Sequence, residues 1–165
     1  MKLYHGSNIE VKEPKILESD RKLDFGNGFY LTSSYEQAKK WAILTSKRRK
    51  EGQPIVSVFN FDETNNLKIL TFDKADIDWL RFVSLNRKNI PLENDFDIIK
   101  GPVANDKTMP VITLFFSGVY SEEETIKRLL PQKLQDQIVF KTEHALKFLK
   151  FKEALKPWKK FSLTF

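Results

Sequence analysis

The sequence predicts an α+β fold in a single domain. Runs rich in β-branched and aromatic residues occur beside capped helical segments, the two kinds do not alternate as regular βαβ units, and no repeat or Gly/Ser linker divides the chain. With 165 residues, 41% hydrophobic and 13% aromatic including fourteen Phe, the chain buries roughly two-thirds of its unfolded surface in one core. That composition excludes intrinsic disorder.

Leu3, Tyr4 and His5 form a short first strand. The polar stretch through Asp20-Arg21-Lys22 is a surface loop leading to the glycine turn Phe25-Gly26-Asn27-Gly28. Phe29-Tyr30-Leu31-Thr32 follows as a second strand. Ser34 with Gln37 three residues on fits a capping box. Ala38, Trp41 and Ala42 recur at helical spacing until Lys47-Arg48-Arg49-Lys50 and Gly52 end that helix.

Ile55-Val56-Ser57-Val58-Phe59 and Leu67-Lys68-Ile69-Leu70 are β-rich runs around a turn-forming stretch, which predicts a hairpin or meander. A helix follows over residues 74–86, whose apolar Ile77, Trp79, Leu80, Phe82, Val83 and Leu85 surround the axis. That pattern predicts burial, with a partner-docking face as the alternative. Asp97-Ile98-Ile99 is a short strand feeding the loop Gly101-Pro102-Val103-Ala104-Asn105-Asp106. Ser121 and Glu124 box the start of a helix that Pro131 stops. Gln137-Ile138-Val139-Phe140 is a late strand, and Thr142 caps a helix carrying Ala145, Phe148 and Leu149. A basic-aromatic tail occupies residues 157–165.

Composition excludes several chemistries. Without Cys there are no disulfides, thiolate nucleophiles or iron–sulfur clusters, and two His in the whole chain leave little for a zinc site, so no metal is expected. No stretch approaches the roughly 18 apolar residues of a membrane span, and the start lacks the order of a secretory signal, so a cytoplasmic protein without a membrane partner is expected. A net charge of +6 suits a polyanionic partner or a solvated basic face.

Two clusters carry candidate chemistry. His5-Gly6-Ser7 puts an imidazole, an unobstructed backbone amide and a hydroxyl within three residues; the other His, His144, reads as a surface side chain. Asp24-Phe25-Gly26-Asn27-Gly28-Phe29-Tyr30-Leu31-Thr32 joins two glycines, which let backbone approach a ligand closely, to an aromatic stacking surface. Its spacing fits neither a dinucleotide-binding nor a P-loop fingerprint.

In order and spacing the two clusters resemble the first two motifs of the ADP-ribosyltransferase superfamily, in its poly(ADP-ribose) polymerase-like branch. The whole pattern, with the segment from Gly101 to Thr108, also resembles a microbial branch found among prophage and toxin–antitoxin genes. The resemblance implies a split β-sheet core with flanking helices and NAD+ as co-substrate. It implies that His5 bonds a ribose hydroxyl, that the Gly6 backbone pairs with the nicotinamide carboxamide, and that Tyr30 stacks on the nicotinamide ring. Ser7, Gly28, Phe29 and Thr32 complete the pocket.

The family's third motif is a catalytic Glu near the start of a late strand, and Gln137 aligns there. Its amide can orient a ribose hydroxyl but cannot offset developing positive charge. Asp136 points to the opposite side if the strand begins at Gln135, and reaches the site only if it begins later. The implied activity is single ADP-ribose transfer to a protein or nucleic-acid acceptor, by the toxin of a pair restrained by an antitoxin protein. Asp97, Asn105 and Asp106 are candidate helpers. The alternatives are an NAD-binding pseudoenzyme, and a nucleic-acid or protein-binding module using Lys47-Arg48-Arg49-Lys50, Trp41 and Trp158-Lys159-Lys160-Phe161, or the helix around Trp79.

Overall fold

A computed structural model describes residues 1–16, 18, 23–90, 92 and 95–157. The loop at 20–22 and the tail from 158 onward lie outside the described residues. The elements run β1 (Lys2–Ser7), β2 (Phe29–Leu31), α1 (Tyr35–Arg49), β3 (Ile55–Phe61), β4 (Ile69–Thr71), α2 (Ile77–Arg87), β5 (Ile98–Pro102), α3 (Met109–Phe116), α4 (Glu122–Leu129), β6 (Asp136–Phe140), α5 (Glu143–Leu146) and β7 (Leu149–Leu155). The class is α+β. A three-stranded sheet has the order β1-β3-β7 and a four-stranded one the order β2-β6-β5-β4.

Alternation along the strands builds the layers. Leu3, Phe59 and Phe61 of one sheet and Phe29, Leu31, Ile98, Ile138 and Phe140 of the other share one core, so the sheets pack face to face. The outward side of β5 and β6, Ile99 and Val139, takes Trp79, Leu80 and Val83 of α2, Ile112 of α3 and Leu129 of α4. On the outer face of the smaller sheet, Ala38 and Ala42 of α1 pack with Val56 and Tyr4. α2 buries Trp79, Leu80 and Val83, whereas Ile77, Phe82 and Leu85 of the all-round apolar pattern are only partly covered, and the Trp79 Nε1 donates to the Pro102 carbonyl at 3.0 Å.

Local signals are realised where expected. Ser34, Ser121 and Thr142 each accept a hydrogen bond from the amide three residues on. The residue 55–70 region differs from the predicted hairpin, because β3 pairs with β1 and β7, whereas β4 lies in the other sheet, parallel to β5. The connection crosses between sheets instead of turning, and α2 is the crossover that a parallel β4-β5 pair needs. Leu149 is not helical. Leu149 and Phe151 alternate with Lys150 and Lys152, a period of two, and pair with Phe61 and Phe59. α3 lacks the side-chain cap that marks the other helices in the sequence: Pro110 lies in its first turn, where a missing N–H costs nothing, and Asn105 Oδ1 accepts from Lys107 N and Thr108 N to launch it.

Candidate functional site

The two sheets touch edge to edge at one backbone pair. Tyr4 N donates to Thr32 O at 2.9 Å and Thr32 N to Tyr4 O at 3.0 Å. In an antiparallel ladder the next hydrogen-bonded pair would join Gly6 to Tyr30, two residues along each strand. It does not form. His5 Nδ1 takes the Tyr30 carbonyl instead, at 2.7 Å. The strands therefore part after one rung, and Gly6, which shares Tyr4's orientation on β1, turns its N–H and C=O toward the opening.

That hydrogen bond fixes the imidazole. A carbonyl only accepts, so Nδ1 carries the hydrogen and Nε2 keeps its lone pair. The half-buried ring stacks on Phe29, with centroids 4.2 Å apart and planes at 22°. Burial, opposed by the bond to Tyr30 and helped by the nearby Arg49 charge, lowers the pKa of His5 to about 4. His5 is therefore neutral at pH 7 and offers an acceptor nitrogen beside the Gly6 peptide.

The glycines answer first to the protein's own packing. A Cβ at Gly6 would lie 2.0 Å from Ala38 O and 2.8 Å from Ala42 N, so α1 sits directly on the β1 backbone. At Gly28 it would lie 2.5 Å from Val139 Cγ1 and 2.8 Å from Phe140 O. Gly26 has φ +76, a conformation side chains disfavour. Tyr30 is likewise committed: its hydroxyl accepts from Phe25 N at 3.1 Å and donates to Gly26 O at 2.6 Å, closing the glycine turn. Burial pushes its pKa well above the ordinary phenol value. Lys141, which no motif singled out, donates to Phe25 O at 2.6 Å, and burial lowers its pKa to about 8.

The third-motif residue is where structure and alignment part. Gln137 is 3% exposed and faces the α2 side with Tyr30 and Val139. Its Nε2 donates to Asp24 Oδ2 at 2.9 Å and to Pro102 O at 3.0 Å. Asp24 is ion-paired with Arg87 and also accepts from Ala104 N at 3.1 Å, so this group ties the glycine turn to β5 and β6. The structure does not bring Gln137 to His5. β6 begins at Asp136, which shares the face of Ile138 and Phe140, the face toward the core on which His5 stacks. The Asp136 carboxylate accepts from Thr32 Oγ1 at 2.9 Å, Ser33 N at 2.8 Å and Ser33 Oγ at 2.5 Å, just past the Tyr4–Thr32 rung.

Ser7 is buried and donates to Asn8 Oδ1 at 3.3 Å. Asp97 accepts from Lys68 N and Thr142 Oγ1, which hold its carboxyl below the usual range, and Asn105 caps its own turn. Both serve the scaffold. His144 is exposed against Phe148. Among the described residues no His, Asp and Glu side chains gather as a metal-binding group, and no helix is long and apolar enough to cross a membrane. An apolar groove of about 320 Å³, lined by Ile77, Glu122, Glu123, Ile126, Lys127 and Leu130, shares no residue with the opening.

Residues 1–151 match the family described as "Protein of unknown function (DUF3990)". No curated protein and no solved structure matches the chain.

Proposed function

This chain belongs to the DUF3990 family, and we propose that it is an NAD+-dependent mono-ADP-ribosyltransferase whose donor binds where β1 and β2 part. The reading rests on one observation above the others: His5 takes the Tyr30 carbonyl in place of Gly6, which leaves a peptide donor and acceptor beside an acceptor imidazole nitrogen. A carboxamide presents the complementary acceptor and donor to Gly6, and a ribose hydroxyl can donate to Nε2. The two packed sheets with helices on their outer faces are in keeping with the split core of that superfamily.

In this reaction the C1′–N bond of NAD+ breaks and its electron pair leaves with neutral nicotinamide. Positive charge develops on the ribose, the acceptor's nucleophile bonds to C1′, and the acceptor's proton passes to solvent or a base. Holding the sugar and acceptor in place supplies much of the rate. Asp136 is the carboxylate on His5's face, so we assign it the charge-offsetting role in place of Gln137. Single transfer, a protein or nucleic-acid acceptor, and service as the toxin partner of an antitoxin belong to the same proposal.

The test is incubation of the purified protein with labelled NAD+, alone and with cell extract, following nicotinamide release and label in protein, DNA and RNA. Label on one polymer class, lost in His5→Ala, identifies a transferase and its acceptor. NAD+ binding without release identifies a pseudoenzyme, and failure to bind NAD+ overturns the reading. The exposed run Lys47-Arg48-Arg49-Lys50 favours a second reading, a nucleic-acid-binding module. Affinity for RNA or DNA that falls steeply with salt, without NAD+ binding, would select it.

A further inference from the structure

We propose that Arg49, anchored on Asn8 at the end of β1, is an anion subsite that takes the diphosphate of the bound dinucleotide. This rests on the NAD+ reading above. Asn8 follows directly on His5-Gly6-Ser7, is 5% exposed, and is held from several sides. Its Nδ2 donates to Glu51 O at 3.1 Å, its carbonyl accepts from Gln53 N at 3.1 Å, and Ser7 Oγ donates to its Oδ1. A Cβ at Gly52 (φ +71) would lie 2.2 Å from Asn8 O, so the loop after α1 is wrapped closely around this residue.

Arg49 Nη1 donates to the same Asn8 Oδ1 at 2.8 Å. The bond orients the guanidinium plane, and among the described residues its other donors stay open to a ligand. Arg49 is exposed and forms no ion pair among the described residues. A basic last turn suits the negative end of a helix, and Lys47 and Arg48 supply that on α1. Arg49 additionally reaches back to β1. Asn8 follows directly on β1, two residues past Gly6, so its bond holds the guanidinium at the Gly6 end of that strand. From Gly6 to Asn8 the chain advances about 6.6 Å at about 3.3 Å per residue, the scale of the ribose between nicotinamide and its phosphate. A planar fork of N–H donors suits two phosphate oxygens.

Binding of NAD+, ADP-ribose and nicotinamide is measured by calorimetry for the wild type, Arg49→Gln, Arg49→Lys and the control Lys47→Gln, with melting curves to confirm folding. Arg49→Gln is expected to weaken NAD+ and ADP-ribose binding about 10- to 100-fold and to leave nicotinamide unchanged. Arg49→Lys falls between, and Lys47→Gln resembles the wild type. Equal NAD+ affinity in Arg49→Gln and wild type overturns the subsite and leaves the transferase reading standing. Loss of nicotinamide binding in step with NAD+ assigns Arg49 to structure and also overturns it. Arg49-dependent ADP-ribose binding without nicotinamide binding or release keeps the anion site and rejects the transferase; no binding of any probe rejects both.

Discussion

Gln137→Glu restores the residue type of the third motif at the aligned position, and the structure predicts that it harms the protein. The amide nitrogen of Gln137 donates to two acceptors, Asp24 Oδ2 and Pro102 O, in a site only 3% exposed. A carboxylate there would meet only acceptors, one of them charged, so the new carboxyl must stay protonated for the fold to close. Holding it neutral at pH 7 costs about 3.7 kcal/mol, at about 1.4 kcal/mol for each pH step above about 4.3. At about 2–4 °C per kcal/mol for a chain of this size, the Tm falls by roughly 7–15 °C at pH 7. The sign follows from a folded-state pKa raised above the unfolded one: the penalty is absent below about pH 4.3, grows as pH rises, and is only about 1 kcal/mol at pH 5. Melting curves of variant and wild type at pH 5 and pH 7 measure it. Equal Tm at pH 7, or faster nicotinamide release, would refute the placement of Gln137 away from the opening.

Gly6→Ala should lower the Tm by roughly 6–12 °C, because a methyl 2.0 Å from Ala38 O forces α1 off β1 at a cost of about 3 kcal/mol. A change within 1 °C in a thermal melt would show that packing does not dictate this glycine. His5 titrates at about 4 in the folded chain against about 6.5 for a free imidazole. The stability linked to its neutral state is thus complete above about pH 6.5 and is lost as pH falls toward 4, a few kcal/mol in all; stability against pH should fall less steeply over that window in His5→Ala. Tyr30→Phe removes the bridge from Phe25 N to Gly26 O and should cost about 1–2 kcal/mol in urea denaturation.

Much of the scaffold was legible because its signals are local. Ser34, Ser121 and Thr142 cap helices by bonding amides three residues away, and that pattern survives any tertiary arrangement. Strand pairing is not local. The stretch from Ile55 to Leu70 has the same alternation whether it forms a hairpin or passes between sheets, and only the pairing of β4 with β5 decides. The clusters at His5 and Tyr30 do converge, yet for reasons the motifs do not spell out: His5 replaces a rung of the ladder, and Gly6 and Gly28 admit α1 and β6. Asp136 and Gln137 are neighbours on one strand, where a single step reverses the face, so the sequence alone does not say which of them turns toward His5. Asn8 and Arg49 lie 41 residues apart, and only folding brings them together.

The most direct test of the account is the rate of nicotinamide release from NAD+ by the wild type, His5→Ala, Asp136→Asn and Gln137→Ala, each checked for folding at the assay temperature. The account predicts release by the wild type, a loss of about 100-fold or more in His5→Ala and Asp136→Asn, and a loss in Gln137→Ala no larger than its unfolded fraction explains. No release by the wild type, or turnover abolished in folded Gln137→Ala and kept in Asp136→Asn, would contradict it.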